Sequence, residues 1–214
     1  MSTSTLYLLN KNLWHFHHKE FQNATLFKPI IKLALEEEYK EKLKAGTDLE
    51  TLFNKKNDSS VVKEDRILWW LTNEKIFEIK DMKLVRDSIE YFLACRLLKP
   101  GLIMDGKLLD KAIEFYNDII QEFDSIIEGD NISKSMKYFI FNADSRKDHI
   151  SEWFTVFDKD VEVPSGVGRM NKGAYVTRDI SKLDYHVTDF VKILSDNDWE
   201  LIGNEEFDKY DYSE

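Results

Sequence analysis

The sequence is poor in the residues that build covalent or tightly turned scaffolds: among 214 residues there are one cysteine, three prolines and eight glycines. A single cysteine excludes an intrachain disulfide framework, which suits a reducing compartment. The apolar runs, such as residues 67–71, fall far below the roughly 18 residues of a membrane-spanning helix. No basic residue precedes the short apolar stretch 6–9, so no signal peptide is predicted and we expect a cytoplasmic protein.

The chain also lacks a recognisable catalytic signature. No serine stands in a G-x-S-x-G elbow. Cys95 lies in the most apolar helical segment, where cysteine usually serves as a small buried hydrophobe. Because 43% of the residues are hydrophobic and 33% are charged, the chain has enough apolar surface to bury a core and is not a disordered polyampholyte.

Negative charge is concentrated at one end of the chain. The net charge is -10, and the segment 193–214 alone contains eight acidic residues and one lysine. Such a distribution argues against nonspecific binding of DNA or RNA, which depends on lysine and arginine neutralising phosphates.

Aromatic residues alternate with the acids of this segment, and together they form the predicted partner-binding surface. Long-range attraction could hold a basic partner there while the rings supply buried area. The alternative is a solvated tail whose charge keeps the protein soluble, with one or two of its aromatic residues packed on the protein's own core. The surface consists of Trp199, Glu200, Glu205, Glu206, Phe207, Asp208, Tyr210, Asp211 and Tyr212.

Helical periodicity dominates the first part of the chain. Apolar residues recur every three or four positions over 106–128, which predicts an amphipathic helix that ends at Gly129. Further helices are predicted over 29–44, over 64–77 with a cap at Asp58, Ser59 or Ser60, and over 82–98, just before Pro100. Residues 28–128 are therefore expected to form a bundle of four or five helices, preceded at 6–16 by a strand or an extended arm.

Beyond Gly129 the pattern changes to short strands. Strands are predicted over 136–141, 160–163, 173–178 and 199–202, with one helix from about Asp144 or Ser145 to Phe157 and another over 184–194. The order β-α-β-β-α-β is that of a ferredoxin-like arrangement. The predicted fold class is therefore α+β: a mainly helical domain (1–129), a small α/β sandwich (130–203) and an acidic aromatic tail (204–214).

Two clusters could bind small ligands. If the segment around His15 and His17 is extended, the two imidazoles would project to one face and could share a transition metal. A glycine-rich stretch with two bases could bind an anion or phosphate through backbone N–H groups, although it matches no standard phosphate loop and could equally be a connection between strands. Its residues are Gly166, Gly168, Arg169, Lys172 and Gly173.

Three functions are consistent with these features. The favoured one is a non-enzymatic protein-binding protein, such as an inhibitor, an immunity-type antagonist or a regulatory subunit, that meets a basic partner and needs no cofactor. The second is an enzyme or ligand-binding domain with an anion site at the glycine-rich loop. The third is an acidic mimic of nucleic acid, for which the clustering of the charge at one end is a poor match.

Overall fold

The computed structural model describes residues 3–10, 15–22, 26–56, 58–102, 104–129, 136–143, 155–158, 161–164, 190–195 and 198–202. Within these ranges the α-helices are α1 (Lys28–Glu38), α2 (Lys40–Lys44), α3 (Leu49–Asn54), α4 (Lys63–Thr72), α5 (Met82–Phe92) and α6 (Gly106–Glu128). The strands are β1 (Thr3–Asn10), β2 (His15–Gln22), β3 (Ile76–Glu78), β4 (Met136–Asn142), β5 (Thr155–Asp158), β6 (Val161–Pro164), β7 (Phe190–Ser195) and β8 (Asp198–Ile202). The predicted α+β class is confirmed.

The longest helix has the predicted limits. Helix α6 begins after Asp105, whose carboxylate accepts from the backbone N–H groups of Lys107 and Leu108 at 2.9 and 3.3 Å. These bonds satisfy N–H groups that lack an intrahelical acceptor in the first turn. The apolar stripe of the helix is buried between Ala112 and Ile126, and Phe123 contacts Phe139 of β4 edge to face with ring centroids 5.7 Å apart.

The helix predicted over 64–77 begins at Lys63, next to its predicted start, but its predicted end and its predicted cap are wrong. Helix α4 stops at Thr72 because the backbone reverses at Glu74, which has a φ of 57°, and the next residues form β3. At the other end Val62 precedes the helix and provides no side-chain cap, while the Asp58 carboxylate accepts from the Ser60 N–H at 3.0 Å. Asp58 therefore stabilises the turn before the helix rather than the helix end.

The predicted helix over 82–98 is confirmed as α5 followed by a π-helical turn, Leu93–Leu97. The expectation for Cys95 is wrong, because this residue lies on the exposed side of the turn. The helix predicted over 29–44 is present as α1 and α2, with an interruption at Tyr39.

Six strands form one mixed sheet in the order β2-β1-β4-β3-β7-β8, and β5 pairs with β6 in a separate hairpin. Among the pairs of the large sheet only β3 and β7 run parallel. Strands predicted over 136–141, 160–163 and 199–202 are confirmed as β4, β6 and β8, and the strand alternative for 6–16 is confirmed by β1 and the start of β2. The strand predicted over 173–178 lies outside the described residues.

Two helix predictions in the second part of the chain are wrong where the structure describes them. Residues 190–194 belong to β7, and residues 155–157 belong to β5. The backbone N–H and C=O groups of β7 pair with those of β3 and β8, whereas in a helix they would pair with each other. The remaining residues of both predicted helices lie outside the described part.

The main core lies between the helices and one face of the large sheet. On this face Leu6 pairs with Phe141, Leu8 with Phe139 and Phe139 with Phe77, and all of these side chains belong to one buried cluster with the helices. The central strands are buried on the opposite face as well, at Tyr7, Leu9, Ile76, Ile140 and Phe190. The predicted boundary at Gly129 coincides with the end of α6, but strands on both sides of it are hydrogen-bonded neighbours in one sheet.

Candidate functional site

A groove of about 610 Å³ lies between β2 and α6. Phe21 of β2 and Phe115 of α6 line it; both are buried and meet edge to face with ring centroids 6.4 Å apart. The rest of its lining is polar, from Lys19, Glu20, Gln22, Lys111, Glu114, Asp118, Gln121 and Glu122.

The periodicity of α6 places the polar lining on one side of the helix. Residues 111, 114 and 118 follow one another three or four positions apart, and 121 and 122 lie three and four positions after 118, so all five share a face. The apolar stripe that includes Tyr116 and Phe123 turns toward the core. The Tyr116 hydroxyl donates to the carbonyl oxygens of Leu26 and Phe27, both at 3.0 Å, which fixes α6 against the segment that leads into α1.

The groove carries more negative than positive charge, with four carboxylates against two ammonium groups. Lys19 Nζ lies 3.9 Å from Glu122 Oε2 and partly neutralises that carboxylate. Glu114 and Asp118 are exposed, and within the described ranges no cation lies within 4.0 Å of either carboxylate. These two side chains are thus free to attract a cationic group.

A second polar cluster is buried and closed. Asp65, which is fully buried, accepts from Arg96 Nη2 at 2.6 Å and from the Tyr39 hydroxyl at 2.8 Å. The same Tyr39 oxygen accepts from the Val62 N–H at 3.0 Å. Burial, followed by the neighbouring Asp65 charge, raises the pKa of Tyr39 well above its usual range. For Arg96 burial is the largest single effect and lowers the pKa, but the hydrogen bond to Asp65 and the nearby negative charges together raise it above its usual range.

Every member of this cluster already has its partners inside the protein. Arg96 also contacts Glu38, with its Nη1 3.1 Å from Glu38 Oε2, so the cluster joins α1, α4 and the π-helical turn. Such an arrangement positions helices and leaves no group directed at a ligand. Its role is therefore structural.

Trp199, one of the predicted partner-binding residues, is buried. This side chain is only 4% exposed and packs edge to face on Trp70, with ring centroids 4.8 Å apart. The guanidinium of Arg66 lies 5.9 Å from the centre of the Trp199 ring. Trp199 belongs to the core and is not available to a partner. The alternation of polar and apolar residues in β8 is the sequence signal for this burial. Asp198 and Glu200, on either side of Trp199, are exposed.

The other predicted site residues have different outcomes. Glu200 is exposed, and its carboxylate lies 4.0 Å from Lys192 Nζ on the neighbouring strand. The remaining partner-binding candidates, Glu205, Glu206, Phe207, Asp208, Tyr210, Asp211 and Tyr212, lie outside the described residues. So do all the anion-binding candidates, Gly166, Gly168, Arg169, Lys172 and Gly173.

The backbones of His15 and His17 lie in β2, where they pair with Leu9 and Leu8 of β1. Metal binding by these histidines stays a prediction. Among the described residues no group of three histidine, cysteine, aspartate or glutamate side chains is arranged to hold a metal ion.

The chain has no significant match to a protein-family model, a curated protein or a solved structure. Among the helices described here, none is long and apolar enough to cross a membrane.

Proposed function

We propose that this is a non-enzymatic protein-binding protein of the cytoplasm that docks a basic partner, as an inhibitor, an immunity-type antagonist or a regulatory subunit does. The observation that supports this proposal is the groove between α6 and β2, where Glu114 and Asp118 are exposed without a cation within ion-pairing distance in the described part of the chain. A fixed helix presents both carboxylates, so a partner does not have to order them.

The acidic segment near the end of the sequence adds to this attraction. Residues 204–214 carry five of the acidic side chains of the chain and one lysine. Negative charge of this density raises the rate at which a basic protein encounters the surface. In this proposal the C-terminal segment steers the partner and the groove contributes a structured contact.

Partner capture from extracts tests the proposal with three forms of the protein. The first is the intact chain, the second ends at Gly203, and the third carries Glu114→Gln with Asp118→Asn. A matched control carries Asp110→Asn with Glu128→Gln, which removes the same charge from exposed positions of α6 outside the groove. Captured proteins are identified by mass spectrometry, purified and titrated against each form.

We expect one basic protein to bind the intact chain and the control alike. Its affinity should fall by roughly 2- to 30-fold in the groove variant, which corresponds to about 0.2–1 kcal/mol for each exposed charge pair. Binding should also weaken as salt shortens the screening length to about 10 Å at 0.1 M. If the groove variant, the shortened chain and the control all bind equally well, the proposal is wrong.

A further inference from the structure

Strand β2 is the last strand at its end of the six-stranded sheet within the described residues. Among the strands that the structure describes, it pairs with β1 alone. In such an edge strand every second residue directs its N–H and C=O groups away from the sheet, where they can pair with an added strand. The groove lies along this edge, since residues 19–22 of β2 form one of its walls.

The opposite wall supplies carboxylates at a spacing that suits an extended chain. Glu114 and Asp118 lie four residues apart on α6, which corresponds to about 6 Å along a helix that rises 1.5 Å per residue. In an extended strand the side chains on one face recur every 6.4–6.8 Å or so. Basic side chains at alternate positions of a strand would therefore meet successive carboxylates of the helix.

We propose that the groove between β2 and α6 binds an extended basic segment of a partner protein as an additional strand on β2. This inference rests on the proposed function and specifies how the partner is recognised. Backbone pairing with β2 supplies affinity, and the α6 carboxylates select lysine or arginine at alternate positions. The charged side chains of Lys19 and Glu20 on the edge strand disfavour indiscriminate pairing.

Two other occupants fit the charges less well. The acidic segment 204–214 of this chain would place its carboxylates against those of α6, and like charges repel. A second copy paired through β2 would place its own groove, with the same excess of carboxylates, beside the first, and like charges repel. A basic segment is the occupant that the groove favours.

A synthetic peptide of eight residues, the length of β2, tests the inference with lysine and threonine alternating along it. Its affinity is measured by fluorescence polarisation, and hydrogen exchange of the β2 amides is followed by NMR with and without the peptide. The proteins are the intact chain, Glu114→Gln with Asp118→Asn, and the control Asp110→Asn with Glu128→Gln. A glutamate–threonine peptide is the matched control ligand.

We expect the lysine peptide to bind and to slow exchange at alternate amides of β2 by at least tenfold. The groove variant should bind it roughly 2- to 30-fold more weakly, the control should bind it as the intact chain does, and the glutamate peptide should not bind. Circular dichroism of both variants should match that of the intact chain, since all four positions are exposed.

Lysine-peptide binding without protection of β2 would overturn strand addition and leave the proposed function standing. Failure of the lysine peptide to bind, equal binding by the groove variant, or protection of β2 by self-association would overturn the assignment of the groove. The proposed function fails separately, if no basic protein binds the intact chain in the capture experiment.

Discussion

Arg96 Nη2 donates a hydrogen bond of 2.6 Å to Asp65 Oδ2, and the carboxylate that receives it is fully buried. A second nitrogen, Arg96 Nε, lies 3.0 and 3.1 Å from the two carboxylate oxygens. This forked pair connects α4 with the π-helical turn that follows α5. The pair holds these two elements together in the interior. Removal of either member would leave the other charge buried without its main partner.

We expect Arg96→Met to lower the free energy of unfolding by about 3–5 kcal/mol, since it strands the Asp65 carboxylate. The double variant with Asp65→Leu should be less destabilised than the sum of the two single variants. Urea denaturation of Arg96→Met, Asp65→Leu and the double variant, each compared with the parent, measures this coupling. Lys83→Met is the comparison for an exposed pair, because Lys83 is largely exposed and contacts Asp87 at 2.7 Å; it should cost less than about 0.5 kcal/mol. Additive losses would show that the buried pair is not coupled.

The contact between Trp199 and Trp70 predicts that β8 is required for stability. Trp199→Ala should lower the free energy of unfolding by about 3–5 kcal/mol, because it empties a buried aromatic site. Trp199→Phe should cost less, since it keeps a ring and removes an indole N–H that has no acceptor in the described structure. Thermal or urea unfolding measures both, and Glu200→Gln, at the neighbouring exposed position, should stay within about 0.5 kcal/mol. Equal effects at positions 199 and 200 would contradict the buried placement.

The carboxyl group of Asp81 predicts a dependence of stability on pH. Burial raises the pKa of Asp81 from 3.8 to about 6; Lys80 lowers this pKa by a smaller amount and Glu78 raises it. The Oδ2 atom of Asp81 has no hydrogen-bond donor in the described structure. Between these two pKa values the folded protein binds more protons than the unfolded chain. Protonation of Asp81 therefore stabilises the folded protein, and this contribution to the free energy of unfolding is fully present below pH 3.8 and is lost as the pH rises through 6.

Replacing Asp81 with asparagine removes this titration while it keeps the shape of the side chain. We expect Asp81→Asn to be more stable than the parent at pH 7, by at most about 3 kcal/mol for a shift of this size. The advantage should shrink to near zero at pH 4. Urea denaturation from pH 4 to 7 measures the difference, and a difference that does not change with pH would show that the Asp81 carboxyl titrates normally.

The exposed position of Cys95 predicts that its thiol reacts in the folded protein. An aromatic disulfide reagent should label one thiol per chain without denaturant, since Cys95 is the one cysteine of the sequence. Cys95→Ser should remain unlabelled. Labelling that begins only when urea unfolds the protein would place the thiol in the interior, as the sequence alone had suggested.

The sequence pattern correctly predicted helices and strands whose stabilising contacts lie mostly within the same segment of the chain. The apolar stripe of α6 and the stop at Gly129 are both visible in the sequence, and the helix has the predicted limits. The strands β3 and β7 were missed because residues such as Ile76 and Phe190 occur in short apolar runs that suit either structure. Their parallel pairing joins parts of the chain that are distant in sequence, and only that contact favours the strand.

The groove was not predicted for a related reason. Its acidic wall is the polar face of one helix, which resembles any solvated helix face until β2 lies beside it. The C-terminal candidates were chosen by composition, and composition does not distinguish Trp199, which is buried, from Glu200, which is exposed. Alternation within β8 would have separated the two.

The position of β1 between β2 and β4 has a consequence for synthesis of the protein. Its partner β2 leaves the ribosome immediately after it, but β4 is translated only after all six described helices. At about 5–20 residues per second this delay is roughly 6 to 25 s. During that time the nascent hairpin presents Leu6 and Leu8 before Phe141 and Phe139 arrive to cover them. A chaperone that shields short apolar strands should therefore raise the yield of native protein most when it acts during translation.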